Sequence, residues 1–162
     1  MRISWEKAGN DTSTLQSNLF FLGAVLSGDQ EIDEARIMAE AAPATAVLFH
    51  SLADEAGPMG GINLDLGSMS NLFAEYLAIH EKYLPEDGKY LENHKGHLMY
   101  VRPEEAHITS DLAKATTMTG THDELVSRFR EIKSQGYSQV TVQLVHGHEE
   151  ALERWAKVFE TV

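Results

Sequence analysis

The chain has 162 residues and a strongly acidic composition, with 25 Asp and Glu residues against 13 Lys and Arg residues and a formal net charge of −12. An electrostatic field of this sign repels phosphate backbones, so nucleic acid is not an expected partner. The length is that of one domain with a sizeable core, which we place over 1–162.

The absence of cysteine narrows the chemistry that the chain can perform. Disulfides, thiolate catalysis and cysteine-ligated zinc are all excluded, and we expect a cytoplasmic protein because a reducing compartment is compatible with this usage. The apolar run 19–26 is similar to a signal-peptide core, but the charges before it are balanced and no cleavage pattern follows. It is also too short to span a bilayer, so no membrane partner is expected.

The first part of the chain predicts one strand followed by helices. Residues 1–15 are polar and are predicted to be loosely held, while the apolar residues of 16–26 predict a buried strand. A helix is expected from about Glu31, and Pro43 either kinks it or starts a second helix. The residues that the second helix is expected to bury are Ala46, Val47, Phe49, His50 and Ala53.

An insertion over 57–115 separates this first strand–helix unit, 16–56, from the rest of the chain. Its glycine-rich start, 57–67, is the best candidate for a mobile loop that closes over a site as a lid. Apolar residues at helical spacing then predict an amphipathic helix over 71–84, and a short helix is expected near 104–114.

The last part of the chain, 116–162, predicts two further strand–helix units joined by short loops. The threonine-rich run 116–120 predicts a strand, and Thr121 with Glu124 predicts a capping box that starts a helix. A third strand is expected over 139–145, and a last helix follows it. The apolar stripe of that helix comprises Ala151, Leu152, Trp155, Val158 and Phe159. Strands that alternate with helices across short loops are typical of a parallel sheet packed on helices.

A second interpretation applies to the start of the helix at Thr121. Helix N-termini bind anions, and α/β barrels often hold phosphate after their last two strands, so 119–121 is a possible anion site. Glu124 would repel a phosphate, however, and capping explains the pair fully. We therefore expect Thr121 to cap the helix.

Three stretches of the sequence carry a resemblance to a known family. They are VLSGDQEIDEARIMAEAAPATAVLFHSLAD, YLENHKGHLMYVRPEE and GTHDELVSRFREIKSQGYSQVTVQLVHGHEEALERWAKVF. In order and spacing they resemble the C-terminal part of the luciferase-like flavin and deazaflavin oxidoreductases. The resemblance implies an α/β fold that is a partial TIM-type (β/α)8 barrel. The chain would hold strands six, seven and eight with a helical insertion, and would lack the first five strands.

The same resemblance implies a function. It indicates an oxidoreductase or monooxygenase that uses reduced flavin mononucleotide (FMN) or a deazaflavin on a small organic substrate. Much of the flavin contact in the family comes from the N-terminal strands, so cofactor binding is expected to need the missing half. The alternative is a non-catalytic half-barrel that serves as an oligomerising or partner-binding subunit. An open parallel sheet with bare edges favours a homo-oligomer, with a dimer as the first expectation.

Two groups of polar residues are candidates for a substrate pocket. His94 and His97 belong to the densest polar cluster in an apolar stretch, while Gln143 and His146 lie at the carboxyl end of the last strand, where barrels carry active sites. The competing explanation is structural, with surface histidines that bond the backbone and a plain strand-to-helix turn. A His-x-x-His pair without a nearby third ligand lacks the closed shell that zinc prefers, so no metal site is expected.

Overall fold

The computed structural model describes residues 2–56 and 67–162 of the chain, and it has helices packed on short parallel strands. The helices are α1 Arg2–Lys7, α2 Gln30–Glu40, α3 Ala42–Ala56, α4 Ser70–His80, α5 Lys89–Asn93, α6 Ser110–Thr116, α7 His122–Ser134 and α8 Ala151–Thr161. The strands are β1 Asn18–Phe21, β2 Val25–Leu26, β3 Gly120–Thr121 and β4 Gln139–Val142. No helix in the described ranges is long and apolar enough to cross a membrane. The predicted lid over 57–67 lies outside the described residues except for Gly67.

β1 and β2 are two parts of one extended segment, and their parallel partners lie on opposite edges of it. The carbonyl groups of Ser17 and Phe21 accept hydrogen bonds from the backbone of the β4 segment. The carbonyl groups of Leu22 and Ala24 accept from the backbone of 118–120 instead. Odd and even residues of a strand direct their carbonyls to opposite edges. The strand order is therefore β3, then β1–β2, then β4, with the first strand in the centre.

This order confirms the α/β class with parallel strands, but it differs from the order of a barrel. In a (β/α)8 barrel the consecutive strands are neighbours, so the third predicted strand would pair with the second. Here the third strand pairs with the first, and the described residues form no closed barrel. Because β3 pairs with β2 and not with β1, the edge of β1 opposite to β4 has no strand partner within the described ranges.

The first strand is less buried than predicted. Along β1 the side chains alternate between the two faces, so that Phe21 is buried whereas Phe20 is 56% exposed. Between β1 and β2, Gly23 lies against the backbone of Met118, and a Cβ there would come within 1.9 Å of the Met118 carbonyl oxygen. Only glycine permits that approach, so Gly23 brings the central segment close to the strand beside it.

The strand predicted over 116–120 is largely wrong. Thr116 ends helix α6, and the two residues of β3 begin only at Gly120. The hydroxyl groups of Thr116 and Thr117 donate to the carbonyl oxygens of Leu112 and Ala113, at 2.9 and 2.7 Å. These local bonds close the last turn of the helix, and the β-branched residues therefore serve a helix end rather than a strand.

The helices follow the predicted pattern at Pro43 and differ from it at α1 and in α8. Pro43 lies in the first turn of α3, which confirms a second helix rather than a kink. Residues 1–15 contain the short helix α1, although none of its residues is buried. In α8, Trp155 is 1% exposed as expected, but Leu152 is 62% exposed and does not belong to the buried stripe.

Two apolar clusters form the core. One packs α2, α3, α4 and α6 together around Phe49 and Tyr76. The other packs β1 against α7 and α8, where the ring of Phe21 lies 5.3 Å from Phe129 and 5.4 Å from Trp155 between centroids. The first cluster also borders buried polar residues, since the ring of His50 stacks on Tyr76.

The capping box at the start of α7 is present as predicted. The Glu124 carboxylate accepts a hydrogen bond from the backbone N–H of Thr121 at 2.8 Å. An anion at this helix end would compete with that carboxylate, so the geometry agrees with capping.

Candidate functional site

A group of buried polar side chains lies inside the helical part of the fold. His50 on α3, Asn93 at the end of α5, and Arg102 and Glu105 beside the next turn are all at most 4% exposed. Buried charges cost free energy unless they are paired and hydrogen-bonded. Such residues mark either a structural network or a functional site, and their hydrogen bonds distinguish the two.

Arg102 and Glu105 form the buried ion pair of this group. Pro103 starts a 3-10 turn over Pro103–Glu105, and the Glu105 carboxylate reaches back to accept from the backbone N–H of Arg102 at 2.8 Å. The Arg102 guanidinium also donates to Glu105 Oε1 at 2.6 Å. Burial by itself would raise the pKa of Glu105, but hydrogen bonds from His50 and Arg102 outweigh it and lower that pKa to about 2. Glu105 is therefore a carboxylate at neutral pH.

The negative charge on Glu105 determines which ring nitrogen of a neutral His50 carries the proton. His50 Nε2 lies 2.5 Å from Glu105 Oε1, and a carboxylate can only accept at this contact. The proton therefore resides on Nε2, and Nδ1 carries the lone pair. His50 Nδ1 is buried and has no hydrogen-bond partner in the part of the chain that the structure describes. An unpaired acceptor in the interior is costly, so this atom needs an explanation.

Asn93 connects the buried network to the surface. Its side-chain amide donates to the His50 carbonyl at 3.1 Å and to Asp54 Oδ1 at 2.8 Å, and its oxygen accepts from the Tyr76 hydroxyl. Burial and the neighbouring Tyr83 raise the pKa of Tyr76, which stays protonated and donates. Asn93 thus holds α3, α4 and α5 in one arrangement.

Asp54 holds one of the two histidines predicted from the sequence, His94, which in turn contacts the other, His97. Asp54 Oδ2 accepts from His94 Nε2 at 2.6 Å, which leaves His94 Nδ1 facing His97 Nδ1 at 3.1 Å. The ring of His94 also meets the ring of His50 edge-on, with 5.5 Å between centroids. Burial, and after it the nearby His94 and His50, lowers the pKa of His97. We call His50, Asp54, His94, His97 and Glu105 the histidine cluster.

The four predicted pocket residues occupy two separate places. His94 and His97 are in contact, whereas Gln143 and His146 lie beyond the end of β4. Within the described ranges no hydrogen bond, ion pair or ring contact joins the two pairs. His146 is a surface residue 3.4 Å from Glu149. Only the first pair therefore belongs to the histidine cluster.

Most of the residues that support the two histidines were not predicted from the sequence. The sequence pattern places His50 on the buried face of its helix, but without a polar partner. Two signals in the sequence point to a buried polar site. One is His50 within an apolar stripe, and the other is the pair Arg102 and Glu105, three residues apart with Pro103 between them. Asn93 and Asp54 carried no comparable signal, because they come together only when the helices pack.

A second group of possible ligands, Glu40, His148 and Glu150, has a structural explanation. Glu40 is buried, and its carboxylate already accepts from Arg154 at 2.5 Å, with Arg36 at 3.8 Å. Both guanidinium groups lie against Oε1, and their positive charge would repel a metal ion, while Oε2 has no hydrogen-bond partner among the described residues. The group therefore ties α2 to α8.

Comparison of the chain with protein-family models, with curated proteins and with solved structures finds no match. The histidine cluster, the sheet and the sequence resemblance are therefore the basis for a functional proposal.

Proposed function

We propose that the chain is the C-terminal segment of a luciferase-like oxidoreductase and supplies proton-transfer residues for a small organic substrate. The proposal starts from the resemblance over three stretches of the sequence. The parallel strands followed by helices are compatible with it. The proposed cofactor is reduced FMN or a reduced deazaflavin, which would supply a hydride when bound.

The observation that carries the proposal is the path of polar groups from the surface to the interior. His94 is partly exposed and bonds Asp54, Asp54 bonds Asn93, and Asn93 bonds Tyr76. A histidine held by a carboxylate is the usual group for giving or taking a proton near neutral pH. Reduction of an organic substrate by hydride needs such a proton, and His94 and His97 are placed to exchange it.

The described residues do not form a flavin site by themselves. Near the histidine cluster, Lys95 is paired with Glu92 at 3.3 Å and Arg102 is buried against Glu105, so neither cation is free to hold a phosphate. We therefore assign cofactor binding to strands outside this segment, as the resemblance implies. The role proposed for the chain's own residues is limited to proton exchange with the substrate.

The partial barrel belongs to the same proposal. In a barrel, β1 would use the edge that here pairs with β4 to pair with the preceding strand of the barrel. β4 would pair with β3 instead. We propose that β4 takes this place in the isolated segment because an unpaired edge next to apolar side chains is unfavourable. Supplying upstream strands would then return β4 to the outer edge of β3.

The decisive experiment fuses the upstream half-barrel of a luciferase-like oxidoreductase to this chain. The fusion is expected to bind reduced FMN or a reduced deazaflavin, measured by calorimetric titration without oxygen. With cofactor binding unchanged, His94→Ala should lower kcat by about 100-fold or more, the scale of general acid–base catalysis. The matched control is His122→Ala, which removes a histidine far from the cluster in sequence. A fusion without flavin binding, or a His94→Ala variant as active as the control, contradicts the proposal.

A second candidate is the non-catalytic subunit, and one observation favours it. The open edge of β1 borders an apolar hollow lined in part by Leu19, Phe20, Ala44 and Met118. A second copy that covers this edge would give a homodimer without any catalytic role. This candidate predicts a dimer that never binds flavin, even after fusion to the upstream half-barrel.

A further inference from the structure

Three histidines from two distant parts of the chain converge in the histidine cluster. One ring nitrogen each of His50, His94 and His97 lies within 4.8 Å of the other two. His94 and His97 are three residues apart, whereas His50 comes from α3. The sequence alone offered no third ligand for the His-x-x-His pair, and the fold supplies it.

The carboxylates that bond Nε2 of His50 and of His94 leave Nδ1 of each neutral ring without a proton. Glu105 accepts from His50 Nε2 and Asp54 accepts from His94 Nε2, at 2.5 and 2.6 Å. Both rings are thereby held with Nδ1 unprotonated when neutral. Metal-binding histidines commonly donate their other N–H to a carboxylate, which orients the ring and raises its basicity. Two of the three histidines have this arrangement.

The buried Nδ1 of His50 is the independent sign of a ligand. It belongs to a side chain that is 2% exposed and has no partner among the described atoms. A lone pair left unpaired in the interior costs free energy that a bound cation would recover. Nε2 of the same ring, by contrast, is satisfied by Glu105.

The spacing of the nitrogens fits a transition metal. At Zn–N distances of about 2.0–2.1 Å, two ligand nitrogens lie about 3.3 Å apart at the tetrahedral angle and about 2.9 Å apart at a right angle. The observed distance between His94 Nδ1 and His97 Nδ1 is 3.1 Å, between these two values. A ring nitrogen of His50 lies within 4.8 Å of both, which places the third ligand beside this pair.

We propose that His50, His94 and His97 bind one zinc ion, with Asp54 and Glu105 as the outer carboxylates. Three neutral imidazoles suit zinc, and three protein ligands leave a fourth position for water or a small anion. Glu105 is neutralised by Arg102, so Asp54 supplies the negative charge beside the site that favours a cation. The site uses only groups present in this chain, so it does not depend on the proposed oxidoreductase function. A His94 ring that binds zinc through Nδ1 and donates from Nε2 to Asp54 has no lone pair for a proton, so zinc binding and proton exchange by His94 are alternative states.

The test is calorimetric titration of Zn²⁺ into the full chain, prepared without a histidine tag and stripped with a chelator. The expected result is one ion per chain with a Kd in the micromolar range or below. His97→Ala should weaken binding at least tenfold, and it can be expected to fold because His97 is exposed. His122→Ala, which removes another partly exposed histidine, should bind as the unmodified chain does.

A second variant separates the outer carboxylate from the ligands. Asp54→Asn keeps the side-chain size but weakens the hold on His94, and it should lower zinc affinity about 10–100-fold. Far-ultraviolet circular dichroism checks that each variant is folded. Binding that is absent, that has no one-to-one stoichiometry, or that is equally strong in His97→Ala and His122→Ala overturns the proposal.

Discussion

Glu105 is the single residue on which the histidine cluster depends most. It is 1% exposed and accepts hydrogen bonds from His50, from the Arg102 guanidinium and from the Arg102 backbone. Removing its charge would leave the buried Arg102 guanidinium with only the exposed Glu104 carboxylate, 3.6 Å away, as a counter-ion. Breaking one partner of a buried pair costs more than the pair itself contributes. The role of Glu105 is to fix the tautomer of His50 and to keep Arg102 in place.

We predict that Glu105→Gln lowers the free energy of unfolding by about 3 kcal/mol at pH 7. Because the pKa of Glu105 falls from its ordinary 4.5 to about 2 on folding, its contribution is complete above about pH 4.5 and is lost as the pH falls towards 2. The difference in free energy of unfolding between the unmodified chain and Glu105→Gln, measured in urea titrations, should therefore shrink as the pH falls from 5 to about 3. Glu34→Gln, at an exposed position on α2, should change little. A pH-independent difference would contradict this assignment.

At the scale of elements, the close approach at Gly23 determines how the central segment meets its neighbour. A Cβ at this position would lie 1.9 Å from the Met118 carbonyl oxygen, so the backbone itself would have to move. We predict that Gly23→Ala destabilises the chain by about 3 kcal/mol or more, the range of severe packing changes. Urea unfolding followed by tryptophan fluorescence measures it.

The matched control for this change is Gly147→Ala. Gly147 has a φ of +89° but no atom within 4 Å of an added Cβ. Its substitution should cost only the backbone strain of about 1–2 kcal/mol. If Gly23→Ala cost no more than Gly147→Ala, the close approach would not matter to the fold.

The capping box of α7 gives a second prediction at this scale. Glu124→Ala removes the acceptor of the Thr121 N–H, and Thr121→Ala removes the cap side chain. Each change should lower the free energy of unfolding by about 1 kcal/mol. Glu153→Ala, in the first turn of α8 without a cap bond, is the control. Urea titrations of the three variants measure these effects, and equal stability of all three would rule out the capping role.

The elements that the sequence predicted best are those whose signals are local. The start of α7, the second helix after Pro43 and the helix of Trp155 each depend on neighbouring residues. The threonines of 116–120 misled the prediction because β-branched residues also close helix ends through their hydroxyls. The histidine cluster could be predicted only in part, since His50 and Glu105 meet His94 through tertiary packing. Strand order was equally hidden, because no local signal tells which strand lies in the centre.

At the scale of the whole molecule, we propose that another chain covers the edge of β1 that has no strand partner among residues 2–56 and 67–162. An exposed strand edge with free backbone groups pairs readily with a second strand. Phe20 adds an apolar side chain, 56% exposed, at this edge. The predicted homodimer is therefore proposed to form here, which would bury both copies of Phe20.

We predict that Phe20→Lys converts this dimer to a monomer in sedimentation velocity at tens of micromolar protein. A lysine on an edge strand opposes pairing through its charge. Leu152→Lys is the matched control, since Leu152 is 62% exposed but lies on α8 away from the strand edge. An unmodified chain that sediments as a monomer, or a Leu152→Lys variant that dissociates equally, would contradict the assignment.

The most direct measurement on the central claim is the protonation of the imidazole nitrogens, recorded by long-range ¹H–¹⁵N correlation NMR of the zinc-free chain. The histidine cluster requires His50 and His94 to carry their proton on Nε2, because Glu105 and Asp54 accept there. His97 must then donate from Nδ1 to His94. Addition of Zn²⁺ should move the His97 proton to Nε2 and shift the Nδ1 signals of all three rings. A proton on Nδ1 of a neutral His50, or zinc shifts confined to His122 and His146, would contradict the account.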